Sequence, residues 1–139
     1  MLAELNEIRN KLAREARERH EKTNKLYAEI IDELRVALER DIVNETWFEE
    51  TKSIIYDSAE KGITRVTREP THALFREYAK KLCDIRPEGS GSGWHHRQAK
   101  VLCNVRVEAL SKYWSEHSDV PVYINDSKPP LPTHLVFNW

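Results

Sequence analysis

Glycine occurs only 4 times and proline only 6 times in 139 residues, too little of either for a disordered, linker-like chain. There are 2 cysteines, Cys83 and Cys103, and no C-x2-C pair, so the common zinc-finger spacings are excluded. No apolar run approaches the ~18 residues that cross a bilayer, and the first residues contain no apolar signal core. The expectation is therefore a soluble, intracellular protein with reduced thiols and no membrane partner. A Gly-x4-Gly-Lys phosphate loop is missing as well. Gly89-Ser90-Gly91-Ser92-Gly93 resembles a nucleophile elbow only in its letters, because no strand feeds it. These absences argue against an enzyme and against a resident cofactor or metal.

What the chain does have is charge. Charged residues make up 32% of the sequence, above the roughly 25% of an average domain, so a long solvent-facing element must carry the excess. The net charge is −1, but it is unevenly placed: residues 1–62 carry 11 basic and 15 acidic side chains, and residues 63–112 carry 10 and 5. The length suits one ordinary core plus an appendage.

Residues 2–40 lack both Gly and Pro and consist mostly of strong helix formers, which predicts one long helix. Leu2, Leu5, Ile8 and Leu12 begin an apolar stripe that fades over residues 13–25 and resumes at Leu26, Ile30, Leu34, Ala37 and Leu38. The polar middle has Glu-to-basic pairs four residues apart, Glu15/Arg19, Glu18/Lys22 and Glu21/Lys25, which support a helix in water. It is either a solvated span or a polar layer that sets coiled-coil register. Residues 26–38 are expected to dock on the chain's own body, leaving the first stripe for a partner.

Thr46 and Glu49 have capping-box spacing ahead of a second helix, which Gly62 should end with a left-handed residue. Residues 63–67 read as a short strand. A third helix opens at Pro70-Thr71 and runs to about Asp84. Residues 86–94 read as a flexible loop, and their Gly/Ser alternation is also what an inserted linker looks like. A fourth, most buried helix spans 96–114, and two strands, 120–124 and 134–139, form a wide hairpin. The fold class is α+β: a helical arm over residues 1–41 and a body over 42–139, with three helices and a short, mainly antiparallel sheet. The second helix, residues 47–59, is expected to be the core against which arm and strands pack.

Four candidate sites follow. The arm stripe Leu2, Leu5, Ile8 and Leu12 is the candidate protein-binding surface, for self-association or for another protein. The basic middle, with Arg76, Lys80, Lys81, Arg97 and Lys100 beside Trp94 in the loop, suits phosphates and a stacked base, or is simply the solvated side of two helices. Cys83, His95, His96 and Cys103 are chemically able to ligate zinc, but buried structural cysteines fit the pattern better. Pro129-Pro130-Leu131-Pro132 is either a loop of fixed φ or a short polyproline ligand.

The pattern Ile54-Ile55, Ala59-Glu60-Lys61-Gly62-Ile63-Thr64, Val66, Leu82, Val122, Ile124 and Val136-Phe137-Asn138-Trp139 resembles small α+β domains of uncharacterised large-DNA-virus and phage proteins. The resemblance covers about residues 46–139. It implies a viral structural or interaction protein, found in host cytoplasm or virion, and transfers no functional residue. The reading is a non-enzymatic assembly or interaction protein that oligomerises through its coiled-coil-like helix. The alternative is a nucleic-acid-binding module that uses residues 63–112.

Overall fold

The computed structural model describes residues 1–86, 91, 93–125 and 133–139, and for residues 95 and 96 the main chain only. The fold is α+β. Helix α1 spans Leu2–Asp41 and runs into a 3-10 turn, Ile42–Asn44. Helix α2 (Trp47–Glu60), strand β1 (Arg65–Arg68), helices α3 (Leu74–Asp84) and α4 (Trp94–His117), and strands β2 (Val122–Asn125) and β3 (His134–Asn138) follow. The three strands pair antiparallel in the order β1-β3-β2. Residues 87–90, 92 and 126–132 hold most of the expected loops, including the Gly/Ser alternation and the Pro129–Pro132 segment, and lie outside the described residues.

The central strand β3 carries the most apolar sequence, and Leu135, Val136 and Phe137 are each fully buried. Phe137 pairs across the ladders with Val66 on one side and Val122 on the other. Leu135 and Phe137, two residues apart and so on one face, meet Trp47 and Ile55 of α2 and Val107, Leu110 and Trp114 of α4. Trp114 and Phe137 meet edge-on at 4.8 Å, a geometry that favours aromatic pairs. A second cluster joins Leu34 and Leu38 of α1, Tyr78 and Leu82 of α3, and Leu102 and Val105 of α4.

Helix α4 therefore contributes to both clusters, in keeping with its expected place as the most buried helix. Helix α2 does not have the central place expected of it. It buries only Trp47, Thr51 and Ile55, and the base of the arm packs on α3 and α4 instead.

Gly62 ends α2 as expected. It has φ +77°, its N–H donates to Ala59 O at 3.0 Å, and the N–H of Ile63 donates to Ser58 O at 2.9 Å. This crossed pair of bonds satisfies carbonyls of the last turn. The expected capping box at the other end does not form. Thr46 sits at φ −78°, ψ −5° with no bond from its side chain to the helix amides. That helical backbone keeps the hydroxyl from the N3 amide, and it donates instead to Glu50 Oε1 at 2.8 Å.

Among the described residues one charged group lies deep in the body. Arg106 on α4 is 3% exposed, and its Nη1 and Nη2 donate to the two oxygens of Glu45 at 3.2 and 2.8 Å. His72, ahead of α3, accepts the Leu74 N–H at Nδ1 (3.0 Å), so its Nε2 carries the proton that faces Glu45 Oε1 at 2.9 Å. Removing one member of a buried pair leaves the other charged and unsolvated. Glu45→Ala should cost about 3–5 kcal/mol in urea unfolding, with Glu45→Leu/Arg106→Leu less damaging than the single change. A single mutant that unfolds like the wild type would rule out an energetic role for the pair.

Candidate functional site

Helix α1 continues well past the body that supports it. Its buried side chains are Leu34 and Leu38, with Tyr27, Ile30 and Ile31 packed around them. Tyr27 marks the upper edge of this docking. Its hydroxyl donates to Gln98 Oε1 at 2.7 Å, and its ring meets Trp94 edge-on at 6.4 Å. Burial pushes the Tyr27 phenol upward, so the hydroxyl stays protonated and remains a donor. The docking stripe is thus Tyr27, Ile30, Ile31, Leu34 and Leu38, slightly rotated from the expected one. Leu26 is left 38% exposed.

Above Tyr27 no side chain of α1 is buried. Some 25 residues, about 38 Å at 1.5 Å per residue, rise from the body. Near their end the candidate residues Leu2, Leu5, Ile8 and Leu12 are 73, 56, 56 and 59% exposed. Their 3-4 spacing places them on one side of the helix. Glu4 lies beside this stripe, as do Arg9, bonded to Asn6 at 2.6 Å, and Lys11.

The basic candidates are only partly brought together. Arg76 and Lys80 on α3 and Arg97 and Lys100 on the first turns of α4 are all exposed. Arg76 lines a groove of about 330 Å³ between the two helices, together with Phe75, Ala79, Cys83, Leu102 and Cys103. Lys81 points elsewhere. Its Nζ donates to Glu33 Oε1 at 3.1 Å and stands 4.6 Å above the Tyr78 ring. The hydrogen bond to Glu33 raises the Lys81 ammonium, and the same bond holds the Glu33 carboxyl below its usual range.

Trp94 is not a loop residue. It is the first residue of α4, half-buried against Tyr27, and its indole N–H has no acceptor among the described residues. The loop composition of residues 86–93 hid the helix start; only the aromatic spacing to Tyr27 could have signalled it, and that is not readable in sequence. Arg106, one of the 10 basic residues of the 63–112 stretch, belongs to the core.

Cys83 and Cys103 are thiols, each half-buried. Burial, with the charge of Glu69, pushes the Cys103 thiol upward, which disfavours the thiolate that nucleophilic or metal chemistry needs. Among the described residues no group of three or more His, Cys, Asp or Glu could hold a metal ion; the side chains of His95 and His96 lie outside them. No helix among the described residues is long and apolar enough to cross a membrane.

The chain matches no protein-family model, and comparison with curated proteins and with solved structures returns no match. The viral and phage resemblance rests on its quoted residues alone. Local stability should follow the geometry: segments with few buried contacts open first. Amides of residues 2–24 should exchange at least about tenfold faster than those of residues 30–40, read by hydrogen-exchange mass spectrometry. Uniform protection along α1 in a monomer would contradict a free arm.

Proposed function

We propose that this is a non-enzymatic assembly protein whose body presents a helical arm, and that the tip of the arm associates with the arm of another copy. The observation that carries this reading is the mismatch between helix and body. Apolar side chains stop being covered at Tyr27, and a second apolar stripe is held about 20–38 Å further out. A stripe of leucine and isoleucine in water is stabilised by burial at roughly 25 cal/mol per Å², and the helix that bears it is held in shape from its base by Leu34 and Leu38. In the viral setting suggested by the sequence resemblance, such a protein is a structural or assembly component. A different protein's helix, in place of a second copy, is the variant of this reading.

Sedimentation equilibrium tests it. The weight-average mass of the full chain should rise with concentration, and that of a chain starting at Glu21, or of Leu5→Ser/Ile8→Ser/Leu12→Ser, should stay monomeric. A full chain that remains monomeric into the millimolar range would refute self-association.

The second reading, nucleic-acid binding, is favoured by one observation, the exposure of Arg76 and Lys80 on α3 and of Arg97 and Lys100 on the first turns of the adjoining α4. Neutralising four phosphates of a single strand gives a log-log salt slope of about −3. Fluorescence anisotropy with a labelled single strand should show that slope, and Lys80→Glu/Arg97→Glu should reduce it. Affinity that is independent of salt would eliminate this reading.

A further inference from the structure

We infer that two arms pair antiparallel, tip to tip, with Leu5 of each opposite Ile8 of the other and Glu4 opposite Lys11. This deepens the self-association reading and rests on it. Three observations carry the orientation.

The first is where the body sits. At 100° per residue, the centre of the tip stripe lies within roughly 60° of the centre of the docked stripe Tyr27, Ile30, Ile31, Leu34 and Leu38. The apolar tip thus faces the side of α1 on which α3 and α4 lie. A parallel partner would run along that side at 8–10 Å, and both bodies would compete for the space it occupies. An antiparallel partner leaves in the opposite direction and places its own body beyond the tip.

The second is the polar middle. The tip heptad, with Leu5 and Leu12 at one core position and Ile8 at the other, continues through Glu15, Arg19 and Lys22. Parallel pairing stacks each of these on its own copy, like charge on like charge. The antiparallel register that sets Leu5 on Ile8 brings Leu12 to Met1 and ends before the charged layers begin.

The third is charge complementarity. In that register the flanking positions pair Glu4 with Lys11 of the second copy, twice by symmetry, and lay the stem of Arg9 along Leu2 of the second copy. Among the described residues no intramolecular ion pair is seen for Glu4 or Lys11. Fewer than two heptads overlap, so the dimer is weak and reversible.

Charge reversal and one distance test the arrangement. Lys11→Glu should weaken the dimer about 3- to 30-fold in sedimentation, since it turns two exposed attractions into repulsions, and Glu4→Lys/Lys11→Glu should restore it to within about twofold. In a Cys83→Ser/Cys103→Ser background, a spin label at Asn24→Cys should report a distance of about 50 Å by pulsed dipolar spectroscopy, the axial separation in this register. A distance below about 25 Å, with Glu4→Lys rescued by Arg9→Glu and not by Lys11→Glu, would overturn the antiparallel order and leave self-association standing. A monomer at every concentration would overturn both.

Discussion

The guanidinium of Arg106 is buried in the body, and burying a charge fixes what must surround it. Two oxygens of Glu45 meet it in a bidentate fork, and the same carboxylate receives His72. Three segments distant in sequence are thereby held on one point of α4: the link between the 3-10 turn and α2, the link between β1 and α3, and α4 itself. Burying an ion pair gains little net free energy against an apolar alternative. What the arrangement supplies is direction, because a forked, planar contact tolerates little rotation. Glu45 lies just past the 3-10 turn that ends the arm, so the angle at which the arm leaves the body depends on this contact.

From that anchor the rest follows by packing. Leu34 and Leu38 lie against Tyr78, Leu82, Leu102 and Val105, each full burial worth roughly 1.5–3 kcal/mol. The base of α1 is therefore part of the fold, and the helix is nucleated there. Extension beyond Tyr27 adds one hydrogen bond per residue at low cost once the first turns exist. A peptide of residues 1–26 alone would be a marginal helix; attached to this base, it is a continuous one.

Patterns with a local physical cause were legible in the sequence. The long helix came from composition and the absence of breakers, the end of α2 from Gly62, and the antiparallel pairing of β2 with β3 from two short apolar runs. Misreadings arose where the outcome depended on a distant partner. Thr46 has capping spacing, yet its backbone follows the 3-10 turn and the hydroxyl turns to Glu50. Trp94 follows a Gly/Ser run, yet Tyr27, far away in sequence, draws it into α4. Arg106 looks like one more surface cation until Glu45 is placed beside it. At the candidate site, the exposure of Leu2, Leu5, Ile8 and Leu12 was legible, because their stripe is separated from the docking stripe by charged residues. The side of the helix they share with the body was not, since that depends on the rotation of α1 against α3 and α4.

That shared side also bears on the charged middle of the arm. Residues 13–25 need no partner to remain helical, given Glu-to-basic pairs at i,i+4, and they present Glu15, Arg19 and Lys22 where an apolar seam would otherwise continue into the body. Had the seam been apolar throughout, a second arm could slide along it and compete with α3 and α4 for Ile30 and Leu34. Under the proposed association of the tip, the break of charged layers between the two stripes would separate folding contacts from association contacts and leave a shorter, weaker seam. In that proposed arrangement the same polar stretch that limits the tip seam keeps the base of α1 committed to its own chain.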